Sequence, residues 1–392
     1  MAWLGLDDSD SLEAGCTTEL FKRLLERLAL PYQDQRLVRL WPFAQTRTRG
    51  NAAVAARLKV ESFPWETLCN AIEEQWKWLL DECAQGSEPG LILAHQQPCE
   101  ELYWKAVRNH LEVDEVATSL LGIPHRSWST SRRRGLVGAA AAIAWRGEHD
   151  NTWEYTLYRK SENIGLPRTI DERSIEQLDE RFPTTFLNRD PRRKKGLIAP
   201  RSPCPVLLGI RGESKQQLRE AVTWLRAQPG MEEDAGGMLW RTNQACDDHL
   251  MGSITATVEA VPEIRRRGHA SVKTSKGEVV AFCEGGPVNK LLQKVIPGDV
   301  IEWLGLTHDG VWHLERLRLL KPVLRDRMRP LCDCGKRMKS KGKGQPLRCP
   351  GCGYECESAW IGRSIEVVDW VEPEPDRRRH LAAPLSRIGN PS

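Results

Sequence analysis

Three carboxylates close the first apolar run of this chain, in Ala2-Trp3-Leu4-Gly5-Leu6-Asp7-Asp8-Ser9-Asp10-Ser11, and Gly15-Cys16-Thr17-Thr18 follows at once. Leu20, Phe21, Leu24, Leu25 and Leu28 then recur at helical spacing. A strand ending in Asp7, Asp8 and Asp10 beside a helix N-terminus, with Thr17 or Thr18 as its cap, suits a metal-nucleotide. Carboxylates hold Mg²⁺, a hard cation that reaches protein through one or two carboxylates plus phosphates, and the free N–H groups of a helix end favour anions. Asp and Ser are equally ordinary turn and cap residues. A calcium loop fits less well, because Asp8-Ser9-Asp10-Ser11-Leu12 goes on without the acidic fifth ligand, the central Gly or the closing Glu. No P-loop pattern occurs.

Other residues offer complementary chemistry. Gln45-Thr46-Arg47-Thr48-Arg49-Gly50-Asn51 puts two arginines on a Gly-Asn turn between two strands, where Arg47 and Arg49 would clamp phosphate bidentately or merely sit exposed. Asn243 to His249 forms a polar cluster where a strand ends; Asp247, Asp248 and His249 there fit a cation or a polar substrate, and fit turn chemistry as well. Cys332-Asp333-Cys334 and Cys349-Pro350-Gly351-Cys352, each pair followed by glycine, are spaced as a structural zinc ribbon. Its first pair is C-x-C rather than C-x₂-C, so Cys356 is an alternative ligand. Lys336 to Lys343 makes the insert between the pairs strongly basic; this run, Arg132 to Arg134, Arg192 to Lys195 and Arg265 to Arg267 are phosphate contacts or solvated loops.

The elements that position these residues follow from periodicity. Strands are expected at 36–40, 52–60, 91–93 and 153–158, and helices near 65–82 and 100–111, so the first half is an α/β or α+β layer. Arg132 to Ile143, with two glycines and four alanines, reads as a buried helix or a close backbone approach. Pro167 to Lys195 is polar and charged. A second βαβ-like unit starts at Val206-Leu207-Leu208-Gly209-Ile210, turns at Arg211-Gly212, and caps a helix with a Ser214-Lys215-Gln216-Gln217 box before a strand at 238–240. From Ser253 short alternating strands take over: 254–261, 270–273, 279–283, 300–304 and 311–319, with one helix at 287–295 and an Asp309-Gly310 hairpin. Five strands with a helix after the third match an OB-fold barrel, whose face commonly binds oligonucleotides. Pro373 onward, rich in proline and arginine, is expected to be disordered.

The whole has 392 residues, a net charge of +4 and twelve cysteines, and its 40% apolar residues form no run near the roughly 20 of a membrane span. With no signal peptide pattern and metal-type cysteine spacing, a cytoplasmic multidomain α+β protein is expected.

In this order the blocks resemble the archaeal tRNA(Ile) 2-agmatinylcytidine synthetase family: Gly5 to Ser11 with Cys16-Thr17-Thr18, Thr48 to Ala53, Arg134 to Ala139, Val206 to Gly212, Thr242-Asn243-Gln244 and the ribbon. Leu12 and Glu13 and the tight first cysteine pair depart from that pattern. The resemblance implies an ATP-driven ligase that joins agmatine to carbon 2 of the wobble cytidine of a minor isoleucine tRNA. It also implies a kinase-like domain over 1–165 that phosphorylates Thr17 or Thr18, a ferredoxin-like domain over 166–250, the OB-fold over 251–325, the ribbon over 326–372 and a tail over 373–392. Asp7, Asp8 and Asp10 would hold Mg²⁺, and Arg47, Arg49, Gly50 and Asn51 the nucleotide. Agmatine, a guanidinium with an amine, would meet Asp247, Asp248, His249 and Arg211. Two rival readings are a single-stranded nucleic-acid-binding protein and a small-molecule kinase with an RNA-binding appendage. The first predicts no ATP consumption with tRNA present, and the second predicts ATP turnover without RNA.

Overall fold

The first strand, β1 (Ala2–Asp7), is apolar because both of its faces are covered. Leu4 and Leu6 pack with Leu20, Phe21 and Leu24 of α1 (Thr17–Leu28), and Trp3 packs in a second core on the opposite face. This is a computed structural model, which describes residues 1–45, 47–48, 50–61 and 63–389. It divides the chain into two compact units, one made of 1–251 with 375–387 and the other of 252–374 with the chain from Ile388.

In the first unit β2 (Tyr32–Arg39) and β3 (Ala52–Leu58) follow α1, then α2 (Trp65–Glu82) and β4 (Gly90–Ala94). The helix expected near 100–111 is α3 (Glu101–Arg108), which ends where Asn109 becomes extended, and an unforeseen α4 (Val113–Ser119) follows. An unforeseen edge strand, β5 (His125–Ser129), precedes α5 (Gly135–Ala144), the buried Ala-rich helix. Next come β6 (Thr152–Arg159), α6 (Glu172–Arg181), β7 (Thr185–Phe186) and a small ribbon of β8 (Arg189–Asp190) and β9 (Lys195–Gly196). The unit continues through β10 (Val206–Gly212), α7 (Lys215–Arg226) and β11 (Asp234–Thr242). Ser214 caps α7 by accepting from the Gln217 N–H at 3.3 Å, while the Gln217 side chain accepts from Thr184 instead of closing a capping box.

All nine main strands of this unit lie in one sheet, ordered β5-β4-β1-β3-β2-β11-β6-β10-β7. Two antiparallel halves meet at a parallel seam of two residue pairs, Arg36 with Arg241 and Leu37 with Thr242. The expected boundary at 165 groups β6 with the N-terminal half, yet β6 pairs with β10 and β11. An alternating strand declares its two faces and not its neighbours. The segment expected to be a disordered tail belongs to this unit from 375 to 387, and Leu381, Ala382 and Ala383 are buried.

The second unit holds β12 (Ile254–Thr257), β13 (Glu263–Ile264), β14 (Ala270–Thr274), β15 (Gly277–Ala281), α8 (Pro287–Leu292), β16 (Val300–His308) and β17 (Val311–Lys321). Asp309 and Gly310 turn the β16–β17 hairpin with φ of 51° and 77°, the left-handed pair that matches strand twist. The ladders run β12-β16-β17-β15-β14-β13 around Trp303, Ile301, Val272 and Leu317. The helix after the third main strand is as expected, but no continuous ladder closes a barrel among the described residues: Val258 and Thr274 share a single bridge. Three two-residue strands, β18 (Lys339–Ser340), β19 (Leu347–Arg348) and β20 (Glu355–Cys356), form the cysteine ribbon, and β21 (Val368–Val371) returns to β17. The fold is mixed α+β with a C-terminal ribbon. No described helix is long and apolar enough to cross a membrane.

Candidate active site

Asp7, Asp8 and Asp10 lie where β1 ends, at one wall of a cavity of about 930 Å³ in the first unit. Asp8 is held in a left-handed conformation, φ 55°, a strain that Asp tolerates better than most residues and that turns the chain toward the cavity. Arg134 donates to its Oδ2 from Nε and Nη2 at 3.2 and 3.0 Å. Burial still outweighs that partner and pushes the Asp8 carboxyl up to about 6. Burial, then the neighbouring Asp8 charge, drives Asp7 well above the usual carboxylate range. Asp10 accepts from the Thr48 hydroxyl at 3.0 Å.

The glycines of α5 explain how that helix fits against this wall. A Cβ on Gly135 would stand 2.3 Å from the Gly90 backbone nitrogen, and one on Gly138 only 1.8 Å from Asp7 Oδ2. The close approach read from the sequence is therefore to the acidic loop itself, so the two motifs form one structure.

Cys16 is the N-cap of α1, and neither threonine makes a side-chain cap. Their hydroxyls have other partners: Ser9 Oγ donates to Thr17 Oγ1 at 3.1 Å, and Thr18 Oγ1 lies 3.1 Å from Cys16 Sγ. Both threonines line the cavity.

Away from the carboxylates the wall is basic. Arg47, Gly50, Asn51 and Arg211 line it; Arg49 lies outside the described residues. Sequence reasoning missed Arg39, Glu154 and His380. Arg39, at the end of β2, donates from Nη1 to the Gly50 carbonyl at 2.9 Å, and burial lowers its pKa to about 10. Glu154 is buried; burial alone would raise its carboxyl, but Arg211, at 3.3 Å, together with Arg39 and Gln244 holds it below the ordinary range. The only available signal was two arginines in one short strand, 36 and 39, each needing a reason to be there.

Asp247, Asp248 and His249 are not brought to the cavity. Asp248 is 3% exposed and accepts from the Tyr103 hydroxyl, His249 is fully buried, and Asp247 Oδ1 accepts from the Ala383 N–H at 2.8 Å. Asp248 ties β11's end to α3 and Asp247 ties it to the 375–387 segment, so the cluster expected to meet agmatine lies outside this cavity's lining. The polar run was legible, but its partners lie far away in sequence.

In the ribbon, Cys332 and Cys352 sulfurs are 3.5 Å apart, those of Cys334 and Cys349 are 3.3 Å apart, and all four converge within 4.8 Å. Sulfurs on one tetrahedral Zn²⁺ at about 2.3 Å each would be spaced nearly so. Cys356 packs beside this group without joining it, which leaves the four-cysteine set in place despite its tight first pair. The three acidic side chains of the first loop do not converge in that way; such an arrangement fits an ion completed by phosphates rather than a closed protein cage.

Residues 3–130 match the TiaS TCKD domain, 133–249 the TiaS FLD domain and 329–365 the TiaS C-terminal zinc ribbon domain. The chain is 33% identical to the isoleucine-tRNA 2-agmatinylcytidine synthetase TiaS of Methanosarcina mazei, over 98% of this chain and 97% of that one. It is also 33% identical to the same enzyme of Methanopyrus kandleri, over 98% and 96%. Among solved structures it is similar to a complex of TiaS with its isoleucine tRNA and ATP, at 29% identity and a TM-score of 0.80 over 98% of this chain and 97% of that one. A complex of TiaS with the same tRNA, AMPCPP and agmatine is similar at 27% identity and TM-score 0.80, over 99% and 97%. Identity of 33% over almost the whole length of both chains, with three TiaS domains matched in order along the sequence, makes this chain a member of the tRNA(Ile) 2-agmatinylcytidine synthetase family, TiaS.

Proposed function

We propose that this chain joins agmatine to carbon 2 of the wobble cytidine of a minor isoleucine tRNA at the expense of ATP, in the cytoplasm. The observation that carries the reading is one cavity lined both by the carboxylates of the first loop and by Arg39, Arg47 and Arg211, in a chain related end to end to TiaS enzymes. Carbon 2 of cytosine is a poor electrophile, so its oxygen must leave as phosphate. A phosphoryl group passes to that oxygen, the neutral amine of agmatine attacks carbon 2, a C–N bond forms, and the C–O bond breaks to release phosphate while the amine loses its proton.

Asp7, Asp8 and Asp10 would hold Mg²⁺, which when bound offsets charge on the phosphates. Arg39, Arg47 and Arg211 orient the polyphosphate, and Gly50 lets it approach the backbone. Arg49 and Asn51 belong to the same loop and share that task. Thr17 or Thr18, at the cavity wall, is the hydroxyl for self-phosphorylation. Glu154, a buried carboxylate that lines the same cavity, is a better candidate than Asp247 or Asp248 to face a guanidinium.

The first unit holds the kinase-like and ferredoxin-like modules, with their boundary near 130 rather than 165. The β12-β16-β17-β15-β14 order and the Val258–Thr274 bridge support an OB-fold over 251–325, followed by the zinc ribbon over 326–372. These modules hold the rest of the tRNA while the target base leaves its stack.

Incubation of the protein with the minor isoleucine tRNA, ATP and agmatine, followed by nucleoside mass analysis, tests this. A cytidine heavier by agmatine less water is expected. ATP turnover that needs neither tRNA nor agmatine, with unchanged nucleosides, would refute it.

A further inference from the structure

Residues 375–387 enter the first unit far from the sequence that builds its sheet, and they are pinned on both sides of a short exposed stretch. Upstream, the Asp376 carboxylate is 1% exposed and meets Arg193 Nη1 at 2.9 Å, with Arg377 Nε at 3.5 Å and Arg201 Nη2 at 3.7 Å. Downstream, the Ala245 N–H donates to the His380 carbonyl at 2.8 Å and the Asp247 N–H to that of Leu381 at 2.9 Å. Arg387 then grips Asp150 at 2.6 Å and Glu213 at 2.5 Å. Between these anchors Arg378, Arg379 and His380 form cavity wall. The His380 side chain, though deep in the unit, is open to the cavity.

His380 meets Arg39 at Gly50: a Cβ on that glycine would lie 2.9 Å from Arg39 Nη1 and 3.3 Å from His380 Cδ2. Arg39 bonds a carbonyl there, and its buried Nε has no partner among the described residues. The Arg379 guanidinium lies over the Phe43 ring at 4.6 Å. Cationic groups gathered in a buried wall are costly until an anion arrives. A neutral imidazole beside them adds an N–H donor without adding charge. Arg39, burial and Arg211 do hold His380 well below its ordinary pKa.

We infer that the 375–387 segment is part of the phosphate subsite, with His380 and Arg379 contacting the polyphosphate of ATP. The inference rests on the ATP-dependent reading above. ATP is favoured over an RNA backbone because the acidic loop suited to a metal-nucleotide lines the same cavity, whose volume is that of a small-molecule site.

The test uses the full chain with His380→Ala, His380→Gln and Arg379→Gln, and measures affinity for ATP, adenosine and tRNA. His380→Ala and Arg379→Gln should each weaken ATP about tenfold or more, as loss of a bond to a charged group does. Adenosine and tRNA affinities should stay within about twofold, and His380→Gln, whose amide still donates, should regain part of the ATP affinity. Equal loss for ATP and adenosine would make the segment merely structural. Loss confined to tRNA would assign it to RNA, and unchanged ATP affinity would leave it no role; each of these overturns the inference. Failure of the intact protein to bind ATP would remove the underlying reading too, whereas Asp8→Asn abolishing ATP splitting while all His380 variants bind ATP normally would overturn the inference alone.

Discussion

Gly138→Ala is the sharpest test of the junction between α5 and the acidic loop. By helix propensity alone the change stabilises, since Ala in a helix interior is favoured over Gly by about 1 kcal/mol. The new methyl would stand 1.8 Å from Asp7 Oδ2, 2.5 Å from Cγ and 3.0 Å from Cβ. To restore ordinary contact the carboxylate must retreat by roughly 1.5 Å or more. What yields is a side chain, so the fold survives. What moves is a group that, on the proposed function, must hold its position within about 0.5 Å, and misplacement of about 1 Å costs on the order of a hundredfold in rate. The expected outcome is a melting temperature within a few degrees of the parent, tRNA affinity unchanged, and tRNA-dependent ATP splitting down about a hundredfold. Gly135→Ala is the contrast: its methyl meets the Gly90 backbone at 2.3 Å, where no rotamer relieves the clash, so loss of folded protein is expected. ATP splitting at the parental rate in a well-folded Gly138→Ala protein would show that Asp7 does not act at the reacting phosphates.

Three further outcomes follow from particular contacts. Burial, against the donated Tyr103 hydroxyl, raises the Asp248 carboxyl to about 6 from an ordinary 3.8, so the folded chain keeps a proton that the unfolded chain has released. Stability from this group is full below about pH 4 and falls as pH rises through about 6; Asp248→Asn should therefore raise the unfolding free energy at pH 7.5 by at most about 3 kcal/mol, and the melting temperature with it, bring no gain at pH 4, and retain activity. Parallel pH–melting curves for the two proteins would contradict this. Cys349→Ser should strip zinc from the purified protein while Cys356→Ser keeps it, as metal analysis will show. Arg387→Ala, which abandons Asp150 and Glu213, should destabilise the first unit by about 1–3 kcal/mol and expose the neighbouring segment to protease; a resistant segment would mean that Leu381 to Ala383 hold it unaided.

What the sequence disclosed was local. β1, α1 and the hairpin at Asp309-Gly310 are each announced by residues within a dozen positions, and the four cysteines name their own partner. The Asp7–Asp8–Asp10 loop and the Arg134 to Ala139 block were each visible, but their contact needs β1, β4 and α5 in place. The seam between β2 and β11 rests on residues about two hundred positions apart, and nothing in the alternation of either strand points to the other. Arg39 and Glu154 were hidden because a charged residue in a strand reads as solvent-facing until the fold covers it. The 375–387 segment was misread as disordered because little of what holds it is apolar: backbone hydrogen bonds, Asp376 and Arg387 pin it, with three small or medium apolar residues beneath. Disorder judged from composition counts missing hydrophobic residues, and cannot see carbonyls that will be met.

The parallel seam and the returning segment also bear on how this protein is made. Asp7, Arg39 and Arg47 leave the ribosome early, Glu154 and Arg211 later, and Arg378 to His380 only after the whole of 252–374 has been synthesised. A nascent chain that has released only its first half carries the acidic loop with Arg39, Arg47 and Glu154, but lacks Arg211 and Arg378 to His380. Contacts of such long sequence separation also close slowly. The order of translation therefore places residues 252–374 of the second unit before the finished cavity, so an unfinished chain lacks a complete lining for it.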